Sequence, residues 1–401
     1  MKKLTINKIS KSNINIRWQK SSDWIWGENH YISPRYDLLS SVPMNYFLTP
    51  IIAIVIAIIG LLLFKKCKIL DKPGNDLKNT RNPVPTIQGI FVYIAFFAII
   101  AILFPQYLHN NLFLWLLFWS LPIVIVELVE ELSYIDIIKV KIHPFLRLLA
   151  HIGGGILAVY VGHIGNQEFS ISWQVYHLPQ YLFAGIFVVR SILCINAINR
   201  FDGIYAQASG VSSVGFLTIF LLIKYVVFAH YTVFTAENMQ ILTLTQNFAF
   251  ILFCISLVST IIEYKPLGLV RDVGIMFYGF TLAYLSVIGG AKIGTLVVAL
   301  SLVIFDAIRV WLWRMFVMKK SPLKGDYTHL HHRLMGLGRN RKEIRAFVRI
   351  RSIIMMVLML LQGTERFNKV VIFGMMAFIF FGMNIYLFVV KKLPCGLQMK
   401  K

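Results

Sequence analysis

The chain has 401 residues, of which 57% are hydrophobic and 14% charged, and its mean hydropathy is +0.69. Its apolar residues come in long blocks rather than amphipathic periods, which excludes an ordinary soluble domain and marks a polytopic membrane protein. The formal charge of +22 does not point to nucleic acid, because the cations cluster in loops between apolar blocks, where the positive-inside rule accounts for them. Cys67, Cys194, Cys254 and Cys395 are scattered without a CxxC pair, which argues against a disulfide framework or a zinc site.

Residues 1–45 form a polar and aromatic arm with no early apolar core, so no secretory signal is expected there. The apolar blocks then predict spans near 46–64, 89–105, 112–128, 145–163, 180–197, 210–228, 246–262, 274–291, 293–312, 347–363 and 370–390. That is about eleven helices, each close to the ~20 residues a bilayer requires. The expected fold is an all-α integral membrane bundle, with the arm at 1–45, a transmembrane domain over 46–392 and a short basic tail at 393–401. The loops after the first and ninth spans hold Lys65, Lys66, Lys68, Lys72, Lys78 and Arg81, then Arg314, Lys319, Lys320, Lys324, Arg333, Arg339, Arg341, Lys342 and Arg345. Segments 164–179 and 229–245 hold no Lys or Arg, so the first set of loops is expected in the cytoplasm and the second outside. The odd number of spans then places the arm outside, although its Lys2, Lys3 and Arg17 run against the rule.

Under that count every polar cluster falls on the cytoplasmic side. The first loop, Asp71 to Gly89, is stiffened by prolines, and its Lys72, Lys78 and Arg81 suit phosphate oxygens or lipid headgroups. Glu127, Glu130 and Glu131 lie at i, i+3 and i+4 on one helical face, where like charges imply a cation between them or a raised pKa in one of them. Lys139, Lys141 and Arg147 follow and offer balancing charge. Asn196, Asn199 and Gly203 recur at i, i+3 and i+7, and with Asp202 they crowd oxygen donors at a helix end, more than capping needs. Asp272, in Arg271-Asp-Val-Gly274, reads as an N-cap when taken alone. His329, His331, His332 and Arg333 suit a diphosphate better than zinc, since no Cys or second His cluster completes a tetrahedral site. Asp306 and Arg309 read as a structural ion pair within a span.

From Asp71 to Leu334 these stretches resemble, in order and spacing, the polyprenyl-phosphate N-acetylhexosamine-1-phosphate transferases. The Asp-x-Pro loop, the acidic pair Glu130-Glu131, the Asn-Ala-x-Asn-x-x-Asp-Gly run from Asn196 to Gly203, the Arg271 to Gly274 segment and the His-x-His-His-Arg run each match a family motif. The last is closer to the undecaprenyl-phosphate GlcNAc-1-phosphate branch than to the phospho-N-acetylmuramoyl-pentapeptide branch. The chain departs from the family in having Glu-Glu for Asp-Asp, Arg271 for Gly, Tyr205 for a second Asp and Gln88-Gly89 for Gly-Gly, and in lacking a His in the early loop.

The resemblance implies transfer of a sugar 1-phosphate from a UDP-sugar to polyprenyl phosphate within the bundle, in a multi-pass protein of the plasma (inner) membrane with its active site facing the cytoplasm. It assigns Mg²⁺, or Mn²⁺, to Asp272 and Asn199, and catalysis to Glu130, Glu131 and Asp202. Substrate contacts fall to Asp71, Lys72, Arg81, Lys141, Arg147, Asn196, Gly203, Arg271, His329, His331, His332 and Arg333. The partners are the two substrates and membrane lipid, with no nucleic acid, and a homodimer is one assembly open to it. The rival readings are a lipid or sugar transporter and a catalytically altered scaffold. A transporter places its ionisable groups near the midplane rather than at one interface.

Overall fold

The computed structural model describes residues 30–32, 43–71, 82–160, 168–171, 174–177, 179–230, 233–288, 297, 299–319, 329–363 and 366–389. Most of the N-terminal arm, the tail, Lys72, Lys78 and Arg81 lie outside these residues. The principal helices are α1 (Met44–Lys66), α2 (Gly89–Leu103), α3 (Asn111–Tyr134), α4 (Pro144–Tyr160), α5 (Gln180–Arg200), α6 (Gln207–Leu221), α7 (Phe228–His230), α8 (Ala236–Tyr264) and α9 (Arg271–Ile288). They are followed by α10 (Ser301–Leu312), α11 (Leu330–Gly336), α12 (Arg341–Leu361) and α13 (Arg366–Val389). A wide π turn, Leu222–Val227, joins α6 to α7, and a second, Trp313–Val317, follows α10.

Among the described residues five helical stretches are long and apolar enough to cross a membrane: Met44–Lys66, Asn111–Tyr134, Gln180–Gly203, Gln207–Val227 and Ala236–Tyr264. Gly89–Leu103, Pro144–Tyr160 and Val370–Tyr386 are shorter apolar helices. Together they make the chain a multi-pass membrane protein. The outer surface agrees, since Phe47, Ile51, Ile58 and Leu62 of α1 are exposed, as lipid-facing side chains are. At the centre stands α9, whose residues from Val273 to Ile288 are all buried. A helix that is apolar all round belongs in the interior, and α2, α3, α5, α6 and α8 pack around this one.

The two ends of the bundle differ. At one end, Asn45 Nδ2 donates to Leu103 O at 2.7 Å, and Tyr46 Oη to Asn247 Oδ1 at 2.7 Å. Asn247 Nδ2 in turn donates to Tyr107 Oη at 2.7 Å, which locks the start of α1 to α8. Two small antiparallel pairs lie at this end as well: β1 (His30–Ile32) with β4 (Val233–Thr235), and β2 (Glu168–Ile171) with β3 (Gln174–His177). The other end gathers the polar loops. Asp71 is buried and closes the base of its loop, its Oδ1 accepting from Val84 N at 2.9 Å. Gln88 N and Gly89 N donate to Leu269 O and Val270 O, so the first loop is zipped to the segment before α9. Gly89 and Gly274 then meet backbone to backbone, and a Cβ on either would collide with the other.

Candidate functional site

At this end Arg147, in the first turn of α4, is the hub. Its guanidinium binds Glu127 through two nitrogens, Glu130 at 3.0 Å and Asp272 at 3.0 Å. Three elements are thereby tied together, since the glutamates close α3 and Asp272 opens α9. Charge-assisted forks of this kind are among the stronger polar contacts. Glu127 is fully buried and has His151 Nε2 at 3.5 Å from its Oε1. Of the cations that the sequence offered here, Arg147 enters the cluster, whereas Lys141 is exposed.

Glu131 faces the start of α9, where its Oε1 accepts from Val273 N at 3.0 Å. That bond satisfies one of the first-turn backbone donors of α9. The Asp272 carboxylate instead points to Arg147 and stays about one third exposed, at 34%. Arg271 has φ of 60°, a left-handed conformation that costs a non-glycine residue and explains the glycine of the related motif. Its guanidinium lies over the Tyr134 ring at 4.7 Å, and the charges of Glu131, Asp272 and Asp202 act on it.

Asp202 and Gly203 sit in a single 3₁₀ turn, Phe201–Gly203, that ends α5, with Asn196 and Asn199 in the helix's last two turns. Asn196 Nδ2 donates to Ile192 O at 2.9 Å, and both asparagines are half-buried. The His331 ring packs directly on Gly203, where no Cβ would fit, and meets Phe201 edge-on at 6.0 Å. The histidine run and the Asp-Gly run, more than a hundred residues apart, are thus in contact. His331 also lies 4.1 Å from the His332 ring and stacks with His329 at 6.0 Å.

His329 is anchored through Nδ1 to Asp306 Oδ2 at 2.9 Å, and Leu330 N donates to both oxygens of the same carboxylate. Asp306 also accepts from Arg309 at 2.7 Å. The expected ion pair is present, but Asp306 does more than the pair requires. Arg333 is fully buried and donates to the Asn384 side chain of α13, so within the motif it faces the core.

The sequence offered Arg345 only as a loop cation that sets orientation and gave no role to Arg349, whereas both lie on α12. Arg345 Nη1 donates to Tyr205 O at 3.1 Å and Arg349 Nη2 to Ala206 O, beside the Asp-Gly turn. No motif flagged them, and the only signal was their i, i+4 spacing on a helix otherwise apolar toward its far end.

The donors available to a metal are carboxylate and amide oxygens. Among the described residues no group of three or more His, Cys, Asp or Glu forms a ready-made cage. Mg²⁺ does not need one, because it keeps waters and uses one or two carboxylates with substrate phosphates. Glu130 Oε2 and Glu131 Oε2 are buried oxygens without a hydrogen-bond partner. Glu127, Glu130, Glu131, Asp272 and Asp202 share the two guanidiniums of Arg147 and Arg271, so carboxylates outnumber cations here. That donor set and charge fit a hard divalent cation.

Fold and site together define a multi-pass membrane protein with an acidic and basic centre at one end of its bundle. No protein-family model matches the chain. It is similar to a probable undecaprenyl-phosphate N-acetylglucosaminyl 1-phosphate transferase of Bacillus subtilis (strain 168), with 24% identity over 216 residues. The match covers 50% of this chain and 54% of the relative, so the chain spans about half the length of that protein. This likeness supports the resemblance read from the motifs.

Proposed function

We propose that the chain transfers a sugar 1-phosphate, an N-acetylhexosamine 1-phosphate such as GlcNAc 1-phosphate, from its UDP-sugar to undecaprenyl phosphate and so starts a lipid-linked cell-surface glycan. The observation that carries the reading is the gathering of Glu130 and Asp272 on Arg147, of Glu131 at the start of α9, of Asp202 within charge reach of Arg271 and of His331 on Gly203 at one end of the bundle. In this reading about eleven helices span the plasma (inner) membrane and the site end faces the cytoplasm, where nucleotide sugars are made.

A phosphate oxygen of the lipid attacks the β-phosphorus of the donor. A new P–O bond forms there, the bond to the bridging oxygen breaks, and UMP leaves with that oxygen. Glu130 and Glu131 orient the lipid phosphate and take its remaining proton, while Arg147 and Arg271 hold the diphosphate oxygens. Asp202 and Asn196 line the nucleotide side, and His329, His331 and His332 the sugar-phosphate side. Asp272 and Asn199 would hold Mg²⁺ or Mn²⁺, which supplies charge neutralisation at the diphosphate when bound. The lipid tail stays in the bilayer along the bundle's apolar flank.

The test is incubation of membranes containing the protein with several labelled UDP-sugars and undecaprenyl phosphate. Labelled lipid and UMP are expected with one donor, with EDTA abolishing and Mg²⁺ restoring transfer. Asp272→Asn keeps size and removes charge, and is expected to slow the reaction by roughly 10²–10³-fold. Absence of labelled lipid with every donor overturns the proposal.

A further inference from the structure

We propose that Arg345 and Arg349 of α12 are positioning residues that hold the turn following Asp202 and Gly203 against the His331 side of the site. The inference rests on the reading of that site as a transferase centre, and its observations are separate from the motifs that suggested the reading. Arg345 is buried, and its Nη1 donates to Tyr205 O at 3.1 Å and to Tyr264 O at 3.5 Å. Arg349 Nη2 donates to Ala206 O. Both guanidiniums lie over the Tyr264 ring, at 4.4 and 5.8 Å from its centre. The contacts of both guanidiniums are thus the turn carbonyls and Tyr264, through its carbonyl and its ring face.

The turn needs holding. Ala206 has φ of 61°, a left-handed conformation that side chains with a Cβ adopt only at a cost, and it supplies no side-chain cap to α6. Its carbonyl is the one Arg349 grips. One turn further, a Cβ at Gly210 would stand 2.6 Å from Arg349 Nε, so the glycine is what admits the guanidinium. From below, Glu263 fixes the same helix start, its Oε2 accepting from Ser209 Oγ at 2.7 Å and its Oε1 from Val270 N at 2.9 Å. The turn carrying the Asp-Gly pair is therefore clamped by Glu263 and by the two arginines of α12, none of which belongs to a motif. Release of that clamp lets Ala206 relax to negative φ and moves Gly203 off the His331 ring.

Arg345→Lys and Arg349→Lys, each alone and combined with Ala206→Gly, are made in the full chain, since a lysine cannot reach a carbonyl while covering the ring. Hydrogen exchange of residues 201–210 in detergent is expected to rise roughly tenfold in Arg349→Lys, the effect of losing a charge-assisted hydrogen bond. At equal folded protein, kcat for UMP release is expected to fall by a similar factor with a smaller change in KM for the donor. Ala206→Gly, which removes the strained side chain, is expected to restore most of that loss. Unchanged exchange overturns the proposal. A kcat loss that Ala206→Gly does not relieve also overturns it, because the arginines then act on a ligand and not on the turn. If wild-type protein transfers no sugar from any donor, the transferase reading fails, and exchange still decides whether the arginines hold the turn.

Discussion

Asp306 and Arg309 stand at i and i+3, and that spacing alone reads as an intrahelical ion pair. The pair is there, at 2.7 Å, but the same carboxylate anchors His329 Nδ1 and the first N–H of α11. No local pattern reveals this, because the partner lies 23 residues away in the chain. The consequence is a changed expectation for Asp306→Asn. Asn still accepts hydrogen bonds, yet it no longer fixes which His329 nitrogen carries the proton, and a carboxylate behind a histidine commonly matters by roughly 10–100-fold. A fall of that size in kcat is expected at equal folded protein, alongside a lower melting temperature. A variant that melts earlier but turns over within twofold of wild type would make Asp306 purely structural. The acidic pair, the Asn and Asp-Gly run and the histidines were legible as crowded polar residue types, whereas Asp272 alone read as an N-cap and was singled out by the family resemblance. Arg147 was not separable from Lys139 and Lys141, since the choice depends on where α4 begins and only Arg147 lies on it.

At the scale of elements, hydropathy located the helices well because a bilayer demands long apolar runs with internally satisfied backbones. Among the described residues every helix named above except α11, which carries the histidine run and was read only as a loop, overlaps an expected span, although five stretches rather than about eleven are long and apolar enough to cross a membrane. The π turns at Leu222–Val227 and Trp313–Val317 left no compositional trace, and the β1–β4 pairing joins segments some two hundred residues apart. Nor could the sequence say that the first loop meets the start of α9. That contact depends on Gly89 and Gly274, and at Gly274 an added Cβ would stand 2.8 Å from the Gly89 Cα. Gly274→Val therefore forces α2 and α9 apart at the turn bearing Asp272, an overpacking cost of about 1–3 kcal/mol. A melting temperature lowered by several degrees in detergent, together with reduced transfer, is expected. Wild-type melting would mean that α2 and α9 do not meet through these glycines.

For the whole molecule, chain direction alone places every polar cluster at one end. α1 ends there, α3 ends there, α5 ends there and α8 ends there, while α2, α4, α6 and α9 begin there. The sequence reached the same grouping from loop charge, by an independent physical route, because Lys and Arg resist translocation wherever the loops fold. The chain carries its own reporter of which side of the membrane that end faces. Cys67 is exposed immediately after Lys65 and Lys66 of α1, while Cys194 and Cys254 are buried. In a Cys395→Ser background a membrane-impermeant maleimide should therefore react at Cys67 alone. With the site end in the cytoplasm, labelling is expected in inverted vesicles and absent in intact cells. Labelling of intact cells would put Arg147, Asp272 and the histidine run outside, away from nucleotide sugars, and would remove the transferase reading along with the topology.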